Sequence, residues 1–230
     1  ILKVTSLFGG VQIFNILIAL IRSKAVAVLL GPAGMGIGGL LSSTVQMLGN
    51  LSGLGLQISA VRDIAAAHAS GDEERIARVV TVMHRLVWVT GVLGLLICAL
   101  SAPWLSELAF GNQDYTMSFV VLSVTLLMAK LAAGQLVLLQ GVRKLKELAL
   151  ANIVGSTLGL SAALPLYWLY GEAGIVPAMV AAATMSLAVA LYYGRRSKVH
   201  TVAISLIATL SEGRVMLTMG FVIMLNGLLL

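Results

Sequence analysis

Six apolar runs, each near or above the ~20 residues that carry a helix across a bilayer, divide this chain: about Val4–Leu30, Ala33–Ala60, Val79–Ala102, Met117–Val142, Leu148–Tyr170 and Ala173–Tyr193. In lipid every backbone N–H and C=O must find its partner within the protein, which leaves helices or a closed barrel. Barrel strands need only ~10 residues each, so runs of this length predict helices. With 24 glycines and 4 prolines, the chain suits helices packed through small residues. Only 10% of residues are charged, against about 25% in soluble domains. The expected fold is an all-α, polytopic membrane helix bundle. It comprises a six-helix N-terminal lobe (residues 1–198), an amphipathic cytoplasmic linker (199–214) and the truncated start of a second lobe, with a seventh helix (215–230).

The linker follows from Val199–Leu210, which is apolar but too short to span and sets Thr201, Ser205 and Thr209 on one face. The chain opens on Ile1 and closes inside the apolar run Val215–Leu230, of about 16 residues where ~20 would span, so it reads as a piece of a longer protein. Turn signals separate the runs at Gly31-Pro32, Gly71, Pro103, Gly111-Asn112, Gly171 and Gly194. Ser70 and Glu73 stand at capping-box spacing, although a solvated helical loop explains them as well. The second spans of the first and third hairpins open alike, GPAGMGIGGLLSST and GEAGIVPAMVAAAT, a weak internal repeat.

Charge sorts the connections. Those after spans two, four and six hold Arg62, Arg75, Arg78, Arg85, Arg143, Lys144, Lys146, Arg195, Arg196, Lys198 and Arg214, whereas those after spans three and five hold Glu107, Asp114 and Glu172 and no Lys or Arg. The positive-inside rule places the N-terminus and the even connections in the cytoplasm. The net charge of +6 is therefore topological and is not a nucleic-acid footprint.

Polar residues inside the spans are few and ordered. From Leu29 to Ala60 there is no charge, yet Gly39, Ser43, Gln46, Asn50, Gly53 and Gln57 recur at steps of 4, 3, 4, 3 and 4, one face of a helix. Gln12, Asn15, Ala19 and Arg22 share a face of span one, and Asn152, Ser156, Gly159 and Ala163 a face of span five. Such stripes serve helix packing or a wet cavity. All nine acids fall in connections or at span ends, while Lys130 sits near the centre of span four. A lipid-facing ammonium there would cost several kcal/mol, so it faces a cavity unless the span shifts to let it snorkel. Arg143 lies about 13 residues, or ~20 Å, further along, which argues against the shift. For Arg22 a lumen site and an outer interfacial anchor remain open. Cations without buried anions suggest an electropositive, water-filled cavity for an anionic substrate.

Cys98 stands alone, the three histidines lack metal spacing, and neither G-x-S-x-G nor a phosphate-binding loop occurs. An enzyme is not expected, nor any cofactor or metal.

The stretches SKAVAVLLGPAGMGIGGLLSS, LSGLGLQISAVRDIAAA, QGVRKLKELALANIVGSTLGL and YGEAGIVPAMVAAA resemble bacterial O-antigen and polysaccharide flippases of the multidrug/oligosaccharidyl-lipid/polysaccharide exporter superfamily. The resemblance implies 12 or more helices in two lobes, in the bacterial inner membrane. It implies movement of polyprenyl-pyrophosphate-linked oligosaccharide by alternating access. The partners implied are the lipid-linked oligosaccharide, the bilayer, a C-terminal lobe of the same chain and the polysaccharide polymerase machinery. On this reading Arg22 and Lys130 hold the pyrophosphate, and Gln12, Asn15, Gln46, Asn50 and Asn152 line a path for sugar hydroxyls. Arg22 is the nearest match to basic first-helix residues of related flippases; the case for Lys130 is physical only. Two other readings stand: a cation-coupled multidrug exporter, which needs intramembrane carboxylates, and a membrane enzyme acting on polyprenyl-linked sugars.

Overall fold

The computed structural model describes residues 2–197, 199, 202 and 204–228. Among them are eight α-helices and no strand: α1 (Leu2–Gly53), α2 (Leu56–Ser70), α3 (Glu73–Leu100), α4 (Ala102–Phe110), α5 (Thr116–Gly141), α6 (Leu145–Tyr170), α7 (Ile175–Arg195) and α8 (Leu206–Leu228). A 3-10 turn, Gly171–Gly174, joins α6 to α7.

Two of the apolar helical stretches, Gly9–Gly53 with 45 residues and Leu145–Arg195 with 51, are too long to cross once. At 1.5 Å per residue each would run about 70 Å, against about 30 Å of hydrocarbon core. Each breaks at a glycine. Gly31 has φ 68 and ψ −169 inside α1, and Gly171 has φ 54 and ψ −132. Residues with a Cβ avoid that region. Pro32, next after Gly31, opens the second arm of α1, where its missing N–H costs nothing. The fourth residue of each Gly-x-Ala-Gly is tight as well: a Cβ on Gly34 would strike Leu30, and one on Gly174 the Leu166 carbonyl. The repeat read from the sequence is a shared backbone turn.

With α1 in two arms (2–30 and 32–53), six rods form a ring. α7 lies between α5 and α6, α5 between α7 and α3, and α1 packs on both α6 and α3. The first arm meets α6 at Asn15, and the second meets α3 where Gly94 leaves room for Ser52. The two ends of the ring are distinct. One apolar cluster joins the Gly31 turn, α4 and the Gly171 turn through Leu30, Leu105, Phe119, Tyr167 and Ile175. At the opposite end α2, α3, α5 and α8 meet around Ile64, Val80, Met83, Leu138 and Met216. There Lys144 Nζ donates to the carbonyls of Arg196 (3.0 Å) and Ser197 (3.2 Å), which brings two cation-rich connections together. The acidic connections and the basic ones thus occupy opposite ends.

Several boundaries differ from the sequence reading. Span two does not continue to Ala60. It stops at Gly53, and Leu54 (φ 45) and Gly55 (φ 66) reorient the chain into α2. Pro103 does not end structure; it occupies the first turn of α4, where proline is well tolerated. Gly194 is no turn but lies inside α7, where it makes room for Gln135. Of the expected linker helix, Val199, Val202, Ile204 and Ser205 are not helical, while His200, Thr201 and Ala203, like Lys198 before them, lie outside the described residues. The described residues here are held to α3: Val202 N–H donates to Thr81 Oγ1 (3.1 Å), and Arg85 donates to Ile204 O (2.9 Å) and to Thr209 Oγ1. α8 then runs unbroken through Val215.

The cap of α3 is Asp72 rather than Ser70. Its Oδ1 accepts from the N–H groups of Glu74 (3.0 Å) and Arg75 (3.1 Å), whereas the Ser70 hydroxyl donates back to Ala67 O (2.8 Å). Asp72→Ala should therefore lower stability by about 1 kcal/mol, read as a drop in the thermal unfolding midpoint. Ser70→Ala should leave that midpoint nearly unchanged.

Candidate functional site

Folding α1 back at Gly31 turns its two polar stripes toward each other. In a straight helix Arg22 and Gln46 would stand about 36 Å apart; here both line one hollow of about 380 Å³. Its wall is made by Arg22 from the first arm, Ser42, Gln46, Gly49 and Asn50 from the second, Gln57 from α2, Thr125 and Lys130 from α5, and Met179 and Ala182 from α7. Arg22 also lines a slot of about 260 Å³ between the first arm, α6 and α7, with Asn15, Asn152, Ser156 and Ser186. A third hollow, about 250 Å³, leads from Arg22 toward the Gly31 turn along Val26, Met35, Gly38, Ile175 and Met179.

Small residues create this space. The span-five stripe does both jobs that its spacing allowed: Asn152 and Ser156 line the slot, while Ala163 is buried in the apolar cluster. A Cβ on Gly159 would come within 3.4 Å of Ala182 Cβ, so that glycine both sets the approach of α6 to α7 and forms part of the slot wall.

Lys130 does not snorkel. It is half-buried, and its Nζ donates to Gly49 O at 2.5 Å. Gly49 O also accepts from Ser52 Oγ (3.2 Å). α1 ends at Gly53, so Gly49 O lies next to the last four carbonyls, which lack N–H partners within the helix and carry partial negative charge. The helix end is thus the counter-charge for Lys130. An ammonium has three donors, and the one hydrogen bond described uses one. Arg22 is half-buried too, with no hydrogen bond or ion pair among the described residues. Its planar fork matches two oxygens of one phosphate. Lys24 is exposed and lines none of the three hollows.

Of the other expected residues, Gln46 and Asn50 face the main hollow, and Asn15 and Asn152 the slot. Asn15 Oδ1 accepts from Ser156 Oγ at 3.5 Å, and Asn152 Nδ2 donates to Leu148 O at 2.9 Å, which leaves its oxygen available. Gln12 is not brought in: it is exposed and lines none of the three hollows. Gln57, Ser42, Thr125, Ser156 and Ser186 complete the polar lining. Gln57 and Ser156 stood on the stripes already. Ser186 was signalled only by its place between Ala182 and Ala190, at four-residue steps of small side chains.

Arg22 and Lys130 are the only charged residues lining these three hollows, and no Asp or Glu is present. Low-dielectric walls around two like charges focus a positive potential on whatever fills the space. The lining hydroxyls have no histidine or carboxylate beside them to activate a nucleophile. The arrangement can hold an anion and hydrogen-bond a polyol.

A family described as polysaccharide biosynthesis protein matches residues 1–230. Two proteins named lipid III flippase, from Escherichia coli (strain K12) and Shigella flexneri, are each 32% identical over 169 residues, covering 70% of this chain. The chain spans about 40% of the length of these curated relatives. No solved structure matches. The glycine and basic patterns, the doubled-back helices and the family match coincide: the chain belongs to the polysaccharide biosynthesis protein family.

Proposed function

We propose that this chain is the N-terminal lobe (1–198), linker (199–214) and start of the second lobe (215–230) of an inner-membrane flippase. Its cargo is a polyprenyl-pyrophosphate-linked oligosaccharide, an O-antigen unit or similar surface polysaccharide. The observation that carries this reading is a cleft lined by Arg22 and Lys130 with no carboxylate in its wall. Arg22 and Lys130 engage the pyrophosphate, and Asn15, Gln46, Asn50 and Asn152 engage sugar hydroxyls, with Gln12 further along the same face of α1. The basic end faces the cytoplasm under the positive-inside rule. Rocking of this lobe against its C-terminal partner exposes the cleft to each side in turn. A multidrug exporter would need an acid in the cleft to hold cationic cargo.

Transport by the full-length protein in proteoliposomes tests the assignment. Movement of a polyprenyl-pyrophosphate oligosaccharide, with no movement of a cationic dye, is the expected result. Dye transport without sugar-lipid transport would overturn it in favour of an exporter. Chemical change of the sugar lipid without its crossing would overturn it in favour of an enzyme.

A further inference from the structure

The seat of Lys130 is built by four positions that have no charge of their own. Gly49 supplies the carbonyl that receives the ammonium. Gly53 supplies the space, since a Cβ there would collide with Lys130 Nζ. The helix ends at this point because Leu54 takes φ 45, a left-handed value costly for a bulky side chain, and Gly55 takes φ 66. Something outside α1 must hold that break open, and it is α8. A Cβ on Gly55 would strike the Gly220 carbonyl, and a Cβ on Gly220 would come within 2.7 Å of the Leu54 carbonyl and 2.8 Å of the Gly55 carbonyl carbon. Two backbones meet there with no side chain between them. About two turns further along α2, Arg62 reaches Sδ of Met219, the residue before Gly220 in α8.

We propose that Gly220 of α8 is a positioning residue for Lys130. By seating the Leu54–Gly55 break, it fixes where α1 ends, and with it the carbonyl pole on which the ammonium rests. Movement of α8 against α2 then changes how much of Lys130 is given to the helix end and how much to an anion in the cleft. The assignment rests on the flippase reading, because it takes the anion to be the pyrophosphate. The geometric half, that Gly220 sets the state of Lys130, stands without it.

The two halves are separable by experiment on the full-length protein in nanodiscs. The first readout needs no substrate: acetylation of Lys130 by acetic anhydride, followed by mass spectrometry, in the parent protein, Gly220→Ala and Gly53→Ala. Both variants should change the Lys130 acetylation rate, by about fivefold or more for a coupling of this class, with surface lysines unaffected. An unchanged rate in Gly220→Ala overturns the positioning role, whatever the cargo; Gly53→Ala, whose added carbon meets Lys130 itself, is the positive control. Should Gly220→Ala fail to fold, Met219→Ala, which releases the neighbouring Arg62 contact between α2 and α8, carries this readout, and an unchanged rate there overturns the role. The second readout is affinity for undecaprenyl pyrophosphate in Gly220→Ala, Lys130→Gln and the double variant. Each single change should weaken binding about tenfold, and the double no further than Lys130→Gln alone. Losses that multiply would mean that Gly220 acts through packing and not through Lys130, which overturns the proposal. If Lys130→Gln leaves affinity intact while acetylation still responds to Gly220→Ala, the pyrophosphate assignment fails and the positioning stands.

Discussion

Replacing Arg22 and Lys130 together by alanine is expected to cut translocation of a pyrophosphate-linked sugar lipid by at least about tenfold, and by about a hundredfold where the two losses multiply. A hydrogen bond to a charged group contributes about 1.5–3 kcal/mol, and each 1.4 kcal/mol is a factor of ten, so either single change should cost about tenfold or more. The two losses need not multiply, since both residues address one anion. The effect should not come from misfolding. Removing Lys130 leaves Gly49 O still paired with the Ser52 hydroxyl, and Arg22 has no described hydrogen bond to lose. Proteoliposome transport at matched protein levels is the measurement, with thermal unfolding midpoints as the control for folding. A double variant that transports at the parent rate would remove the basis of the cation-pair mechanism.

The second large effect concerns the two hairpin turns. Gly31→Ala and Gly171→Ala should each lower stability by about 1–3 kcal/mol, the cost of forcing a Cβ into a sparsely populated backbone region. At both positions nothing lies within 4 Å of the added carbon, so any loss is backbone strain and not collision. Gly36 provides the contrast: it too has open space, but it sits in regular helix with no unusual φ. Gly36→Ala should leave stability unchanged or raise it by up to about 1 kcal/mol. The unfolding midpoints of these three variants in one detergent decide the matter. If Gly31→Ala melts with Gly36→Ala, the turn does not depend on the glycine.

Where the signal was covalent or periodic, the sequence carried the fold. Gly31-Pro32 stood as a turn signal between two long apolar runs, and the ~20 Å from Lys130 to Arg143 argued for an enclosed ammonium over a snorkelling one. The break at Leu54–Gly55 was invisible for a physical reason. The stripe from Gly39 to Gln57 keeps helical period straight through it, and the break is held by Gly220, far away in sequence. Ser70 stood at capping-box spacing, yet Asp72, immediately before the first turn of α3, makes the cap; spacing alone could not show that. Val199–Leu210 had a good amphipathic period. Thr81 and Arg85 instead take up the Val202 N–H and the Ile204 carbonyl, which a helix would have kept to itself, and neither Val202 nor Ile204 is helical. Within the cleft, amide-bearing stripes identified Asn15, Gln46, Asn50 and Asn152, whereas Gln12 shows that sharing a helix face does not ensure sharing a cavity.

The shortness of two of the three turns at the acidic end decides where a reporter can be placed. At Gly31 and at Gly171–Gly174 the chain reverses with no slack, so an epitope inserted there would unwind helix on both sides. The remaining connection, from Gly111 to Asp114, is exposed and is tied to the body through the Ser106 hydroxyl, which donates to Asn112 O and accepts from Tyr115 N–H. A tag between Gln113 and Asp114 leaves the cleft untouched, and whether an antibody reaches it in intact cells reports which face of the bilayer that end occupies.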